Sequence, residues 1–166
     1  MWNAFYISLA SNQKVDIMSV GEYCNRDVVI VEKTSPVREA INLMRKNHVG
    51  DVVVVEMREN ASIPLGILTD RDVVVEILAE DVELDAVNIS DVMSAQLVTI
   101  NEDTKLLDAI KLMSLKGVRR LPVVNEQSEL QGILSVDDLL ELIVEQLSDI
   151  VSLISKEITN EVKSRK

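Results

Sequence analysis

Residues 65–72, LGILTDRD, return 66 positions later as residues 131–138, QGILSVDD. This duplication constrains the fold more than any other feature, because a repeated unit this small must bury its apolar face against its own copy. Each copy holds a short apolar run, Ile67-Leu68 and Ile133-Leu134, that ends at a hydroxyl residue. An aspartate follows three residues later: Thr69 to Asp72, and Ser135 to Asp138. An apolar helical run begins at once, with Val73, Val74 and Val75 in one copy and Leu139 and Leu140 in the other. Gly66 and Gly132 precede the runs and allow a turn or a close backbone approach.

The Thr/Ser-x-x-Asp pattern has two readings. As local structure it is a capping box, in which an N-cap hydroxyl and an N3 carboxylate satisfy orphaned helix amides. As chemistry, an exposed aspartate at a strand-to-helix junction accepts hydrogen bonds from a ribose diol, and the helix N-terminus beside it favours phosphate. The readings are compatible. The rest of the repeat separates them.

The two halves align well beyond this motif. Val37/Leu106, Ala40/Ala109, Ile41/Ile110, Met44/Met113 and Val55/Val124 all pair at an offset of 69. The offset falls to 66 by Gly66/Gly132, with the loss in a polar turn where length is cheap to vary. Each copy reads strand, helix, strand, turn, strand, helix. Residues 27–31 and 97–100 are β-rich. Ser35-Pro36 predicts a cap followed by proline at N1, and Asp103-Thr104 starts the second copy's helix. Val37, Ala40, Ile41 and Met44 make one helical face, as do Leu106, Ala109, Ile110 and Met113. The runs 52–55 and 121–124 are continuously apolar, as in strands buried on both faces. His48 reads as a helix C-terminal residue.

Composition excludes several function classes. With 17 basic and 28 acidic residues, the net charge is −11. A nucleic-acid binder needs a basic footprint, and docking on an anionic membrane is equally disfavoured. One cysteine, Cys24, and one histidine, His48, cannot build a disulfide framework or a typical zinc site. No run reaches the about 18 apolar residues needed to span a bilayer, and no signal-peptide pattern opens the chain. These features predict a cytoplasmic protein in a reducing compartment. No nucleophile elbow, Walker loop or His-Glu-x-x-His is present. Cys24 has no histidine or basic residue directly beside it in sequence to activate it, and Asp137 and Asp138 point apart on a helix. A catalytic role is therefore not expected.

The β-α-β-β-α order, the Leu-Pro-Val-Val strand at 121–124 and the two Gly-Ile-Leu-[Thr/Ser]-x-x-Asp segments resemble a tandem pair of cystathionine-β-synthase (CBS) domains, a Bateman module. The resemblance covers about residues 19–150. It implies an α/β fold of two β-α-β-β-α repeats packed with pseudo-twofold symmetry, here with an extended C-terminal helix. The expected divisions are 1–18 as an N-terminal helical segment or leader, 19–84 and 88–149 as the repeats, and 150–166 as a helical extension. The resemblance also implies a non-catalytic regulatory module that binds AMP, ADP, ATP or S-adenosylmethionine between its repeats, with no required cofactor and no metal. The partner it regulates is unknown. By that resemblance Thr69 and Asp72, and Ser135 and Asp138, hold phosphate or ribose. Residues 93–97, including Met93 and Leu97, complete the Asp72 site, and residues 24–28, including Val28, complete the Asp138 site. Arg119 and Arg120, just before Leu121-Pro122, are the expected phosphate contacts, with Pro122 beside them. Gly50 and Asp51 occupy the aligned positions in the first repeat, so the Asp72 site is expected to suit phosphate better. The alternative is a ligand-free scaffold or oligomerisation module in which Thr69 and Ser135 are only caps.

The ends of the chain stand outside the repeat. Trp2, Phe5, Tyr6 and Leu9 fall on one helical face; Met18 is an alternative start that leaves residues 1–17 as a leader. The last helix is expected over about 137–162. Leu140, Ile143, Leu147, Ile150 and Ile154 are spaced 3, 4, 3 and 4, a coiled-coil seam, continued by Ile158 and Val162. Its first turns, up to about Leu147, are expected on the module's own core. The remainder predicts a homodimer contact.

Overall fold

The structure is a computed structural model that describes residues 18–59, 61–94 and 96–164. Trp2, Phe5, Tyr6 and Leu9 lie outside these residues. The first half runs α1 (Val20–Tyr23), β1 (Ile30–Glu32), α2 (Val37–Asn47), β2 (Asp51–Arg58), β3 (Ala61–Thr69) and α3 (Asp70–Asp72). α3 continues into a wider π-helical segment (Val73–Leu78), where the Ala79 amide donates to the Val74 carbonyl at 3.0 Å. The second half runs α4 (Ile89–Val92), β4 (Ile100–Asn101), α5 (Leu106–Lys116), β5 (Arg120–Val124), β6 (Leu130–Ser135) and α6 (Val136–Ser164). Each half forms a three-stranded sheet in sequence order, with the first two strands parallel and the last two antiparallel. This is the tandem α/β architecture the repeat implied.

Local sequence explains the elements. Val37, Ala40 and Met44 are buried on α2, and Leu106, Ala109 and Met113 at the same spacing on α5. Both helices end in a left-handed residue, His48 (φ 56°) and Gly117 (φ 66°), which closes the last turn onto its carbonyls. Val52 and Val54 face the first core and Leu121 and Val123 the second. Val53 and Pro122, also buried, belong to the other faces, where β3 approaches β6 and the two repeats meet.

Three expectations are corrected. The first strands are shorter than the β-rich runs at 27–31 and 97–100: regular pairing begins only at Ile30 and Ile100, after the chain has crossed from the other repeat. Asn25 and Ile133 exchange two backbone hydrogen bonds of 2.9 Å, and the Ser94 amide donates to the Ile67 carbonyl at 3.1 Å. The chain entering each sheet thus lies first across the last strand of the other. Secondly, Ser35 does not cap α2. Pro36 is the N-cap residue, and the Val37 amide donates instead to the Val87 carbonyl at 3.2 Å; the Leu106 amide of α5 likewise donates to Met18 at 2.9 Å. Backbone from the neighbouring segment does the work assigned to a side chain. Thirdly, α6 parts from the core earlier than Leu147. Leu139 is buried and Leu142 partly buried against the second core, while Leu140, Ile143 and Leu147 are exposed.

The cores are exchanged. Val20 and Cys24, at the start of the first repeat, are buried in the second core; Ile89, at the start of the second repeat, is buried in the first. Each sequence repeat therefore supplies the short helix that completes the other's core. Gly66 and Gly132 make the crossing possible. A side chain at Gly66 would lie 2.8 Å from Met93 Sδ and from the Ser94 carbonyl, and one at Gly132 2.6 Å from Cys24 Sγ. Burial raises the pKa of the Cys24 thiol, with Arg26 opposing.

Candidate functional site

The two Thr/Ser-x-x-Asp motifs fold identically. The Thr69 amide and hydroxyl donate to Asp72 Oδ2 at 2.9 and 2.7 Å, and the Asp72 amide donates to Thr69 Oγ1 at 3.2 Å. The Ser135 amide and hydroxyl donate to Asp138 Oδ2 at 2.7 and 2.5 Å, and the Asp138 amide donates back to Ser135 Oγ at 3.1 Å. Both are capping boxes, so the local reading holds at each site. All the bonds to each aspartate converge on Oδ2. Among the described residues, Oδ1 of Asp72 and of Asp138 carries no hydrogen bond.

Beside each box a cleft opens between the repeats. The first has a volume of about 330 Å³. Its walls are Ile67, Thr69, Asp70, Arg71 and Asp72 from one repeat, the strap residues Ser94, Gln96, Leu97 and Val98, and 117–120 at the start of β5. The second, of about 220 Å³, is its pseudo-twofold counterpart. It is walled by Ile133, Ser135, Asp137 and Asp138, by Asn25, Asp27, Val28 and Val29, and by Val49, Gly50 and Asp51, with Arg120 reaching in. Each cleft thus joins aliphatic walls (Ile67, Leu97, Val98 and Val118; Val28, Val29, Val49 and Ile133) to a polar end. That combination suits a flat apolar ring with a polar appendage.

Arg120 and Asp51 occupy aligned positions, and the packing brings them face to face. Arg120 Nε lies 2.6 Å from Asp51 Oδ1, with the side chains 27% and 14% exposed. Burial pushes the Asp51 carboxyl above its ordinary value; Arg120 opposes the shift and the nearby charge of Asp70 adds to it. The pair joins the two repeats at their centre, and Arg120 lines both clefts.

The structure brings most of the residues expected at the site together. Thr69, Asp72, Leu97, Arg119 and Arg120 line the first cleft, and Val28, Ser135 and Asp138 the second. Two are placed elsewhere. Met93 is packed beside the first core and under Gly66, and Pro122 is buried in β5 opposite Ile133; neither lines a cleft. Beside Met93, Ser94 reaches the first cleft instead, because alternate residues of an extended chain face opposite ways; on β5 the strand's first residue, Arg120, lines the clefts. Tyr23 packs against the second core and does not line the cleft. Gln96 and Asp27 fall inside the segments expected at the sites, 93–97 and 24–28, whereas sequence reasoning missed Asp70, Arg71 and Asp137. The duplication held a signal for two of them: Arg71 is Asp137 at the offset of 66, as Gln96 is Asp27 at the offset of 69.

The comparisons agree with this geometry. The CBS domain family profile matches residues 20–79 and 89–145. An uncharacterised protein of Methanopyrus kandleri is 37% identical over 125 residues, which are 75% of this chain and 62% of that one; the match thus covers less than two thirds of that relative's length. The CBS domain-containing protein YhcV of Bacillus subtilis is 36% identical over 121 residues, 73% of this chain and 82% of that one. Among solved structures, the hexameric CBS-CP12 protein from bloom-forming cyanobacteria superposes with a TM-score of 0.67 at 25% identity, covering 75% of this chain and 67% of that one. The CBS domain pair of protein MJ0100, in complex with 5-methylthioadenosine and S-adenosyl-L-methionine, superposes with a TM-score of 0.68 at 21% identity, covering 78% and 98%. With two matched repeats, two exchanged cores and two clefts between them, the chain belongs to the CBS domain family as a tandem pair.

Proposed function

We propose that this chain is a non-catalytic regulatory module that binds adenosine-containing ligands (AMP, ADP, ATP or S-adenosylmethionine) in its two inter-repeat clefts. The observation that carries the reading is the coincidence, at both clefts, of an aspartate with an unpartnered Oδ1 at a helix start and an aliphatic slot of nucleoside size. The adenine lies between the aliphatic walls, the ribose hydroxyls donate to Asp72 or Asp138, and phosphates of a nucleotide turn toward Arg119 and Arg120. Arginine suits that task because its planar fork meets phosphate oxygens two at a time. The complex of protein MJ0100 with 5-methylthioadenosine and S-adenosyl-L-methionine supports this ligand class for the fold.

The module acts as a homodimer that transmits occupancy to a partner protein. Its acidity keeps it from nucleic acid, and among the described residues no helix is long and apolar enough to cross a membrane. Calorimetry with AMP, ATP and S-adenosylmethionine tests the ligand class. The expected affinity is about micromolar, roughly −8 kcal/mol. Mass spectrometry of small molecules released from the purified protein identifies the ligand. No heat and no thermal shift with any of the three overturns the reading. It would leave the ligand-free scaffold, which the mutual satisfaction of hydroxyl and carboxylate in both boxes favours.

A further inference from the structure

The two clefts meet at one side chain. Arg120 lines both, and it is the one base among the described residues that line the smaller. Its Nε lies 2.6 Å from Asp51 Oδ1. Its other end lies beside Gly50: a Cβ there would stand 3.8 Å from Arg120 Nη2 and 3.4 Å from Asp70 Oδ2. Asp51 lines the smaller cleft and Asp70 the larger. The guanidinium therefore sits in the wall between the clefts, with Asp51 at one end and Asp70 near the other.

Charge makes this wall a balance. In the larger cleft Arg120 is joined by Arg71 and Arg119, whereas in the smaller it stands alone against four aspartates. Among the described residues Asp51 has no other ion-pair partner, so Arg120 alone masks its charge. A phosphate in the larger cleft competes for the same planar fork, which meets phosphate oxygens two at a time. Each donor that turns to phosphate is withdrawn from Asp51. The carboxylate then faces the smaller cleft uncompensated, in a wall where scarce water leaves a charge strongly felt.

We propose that the Arg120–Asp51 pair couples the two clefts, so that a phosphate-bearing adenosine ligand in the larger raises the affinity of the smaller for an adenosine ligand that carries a positive charge. Asp51 is the residue that selects the cation. The proposal rests on the ligand class given above and adds the linkage between the sites. Linkage is reciprocal: the cation neutralises Asp51, releases Arg120 to the phosphate and tightens the phosphate ligand by the same factor. A neutral ligand in the smaller cleft leaves the pair closed and the larger cleft unchanged. Two phosphate ligands oppose each other, because one arginine cannot serve both. The module thus responds to a combination of ligands more than to either alone.

S-adenosylmethionine and S-adenosylhomocysteine test this, because they differ by one methyl group and the positive charge of the sulfonium. AMP is titrated calorimetrically into the full chain saturated with one or the other. It is expected to bind at least about fivefold tighter beside S-adenosylmethionine. Asp51→Asn removes the selecting charge and keeps the shape of the side chain, and is expected to abolish most of that difference. Arg120→Gln is expected to abolish it by the opposite route, since Asp51 is then uncovered whether or not AMP is bound. Equal AMP affinities in the wild type, or weaker binding beside S-adenosylmethionine, overturn the coupling and leave the ligand class standing. A difference that persists in full in Asp51→Asn assigns the effect to direct attraction between the ligands and overturns the coupling as well. No binding of AMP to the wild type also overturns it; only if ATP and S-adenosylmethionine fail to bind too does the ligand class fall with it.

Discussion

In the larger cleft Asp70 and Asp72 face Arg71, Arg119 and Arg120; in the smaller, Asp27, Asp51, Asp137 and Asp138 face Arg120 alone. The backbone scaffolds are equivalent. The capping boxes superimpose bond for bond, and both straps cross a glycine of the opposite sheet. The charge is reversed all the same, because the polar rim is set at positions the fold leaves free, such as 50, 51 and 71 against 119, 120 and 137. Duplication has kept what the backbone needs and let the chemistry diverge. The expected result is division of labour. On the proposed ligand class, the Asp72 cleft should be the phosphate site, and the Asp138 cleft should prefer a ligand of less negative charge or stay empty.

Arg120 is the residue that both clefts share, so removing it should disturb the comparison most. Arg120→Ala leaves Asp51, with its side chain only 14% exposed, without its partner; breaking a buried pair costs about 3 kcal/mol or more, which sets the upper scale of the loss of stability. The penalty belongs to the ionised carboxylate. Because the folded pKa of Asp51 is already raised, the folded state takes up a proton more readily than the unfolded chain. The variant should therefore regain stability relative to wild type as pH falls from neutral through that raised pKa toward the ordinary carboxylate range. Urea unfolding at neutral and acidic pH measures this; a penalty independent of pH would show that the loss is packing and not charge.

The next largest effect separates the clefts directly. Asp72→Ala should weaken nucleotide binding by about 1.5–3 kcal/mol, the value of one charge-assisted hydrogen bond, and Asp138→Ala should weaken it less. Calorimetry with ATP on both variants decides the matter, and equal losses would erase the proposed asymmetry. Stability should not follow affinity. Thr69→Ala and Ser135→Ala each remove an N-cap hydroxyl and should cost about 1 kcal/mol alike, read as matching shifts in urea midpoint. A clear difference between them would mean that the boxes are not equivalent as caps.

The smallest change sharpens the comparison from the other side. Asp51→Asn removes one acid from the smaller cleft and releases Arg120 from its ion pair. Affinity for a phosphate-bearing ligand should rise there by about 1 kcal/mol, the scale of a single charge contact in a solvated site. A second binding event in calorimetry, absent from the wild type, is the expected signature.

Much of this molecule is written in short-range pattern. The repeat, both capping boxes, the helix faces at Val37, Ala40 and Met44 and at Leu106, Ala109 and Met113, and the buried strands 52–55 and 121–124 all depend on neighbours within about one turn or one strand. Such interactions are specified wherever the residues stand in the chain, so they are legible before any fold is known. The family resemblance, built on the same motifs, carried the assignment of clefts to straps.

Tertiary structure decided the rest. No local signal says that Val20 and Cys24 complete the second core and Ile89 the first, or that residues 27–29 line a cleft ahead of β1. Those outcomes depend on the bridge between Asn25 and Ile133 and on the room left by Gly132, both products of chain closure over a long sequence separation. The same holds for Asp51 and Arg120, which are an unremarkable pair of charges in sequence and become a shared, half-desolvated ion pair only when two sheets turn their second faces together. Helix α6 leaves the core at Leu142 and not at Leu147 because the second core ends there; periodicity marks which side of a helix is apolar, but only packing determines where its partner stops.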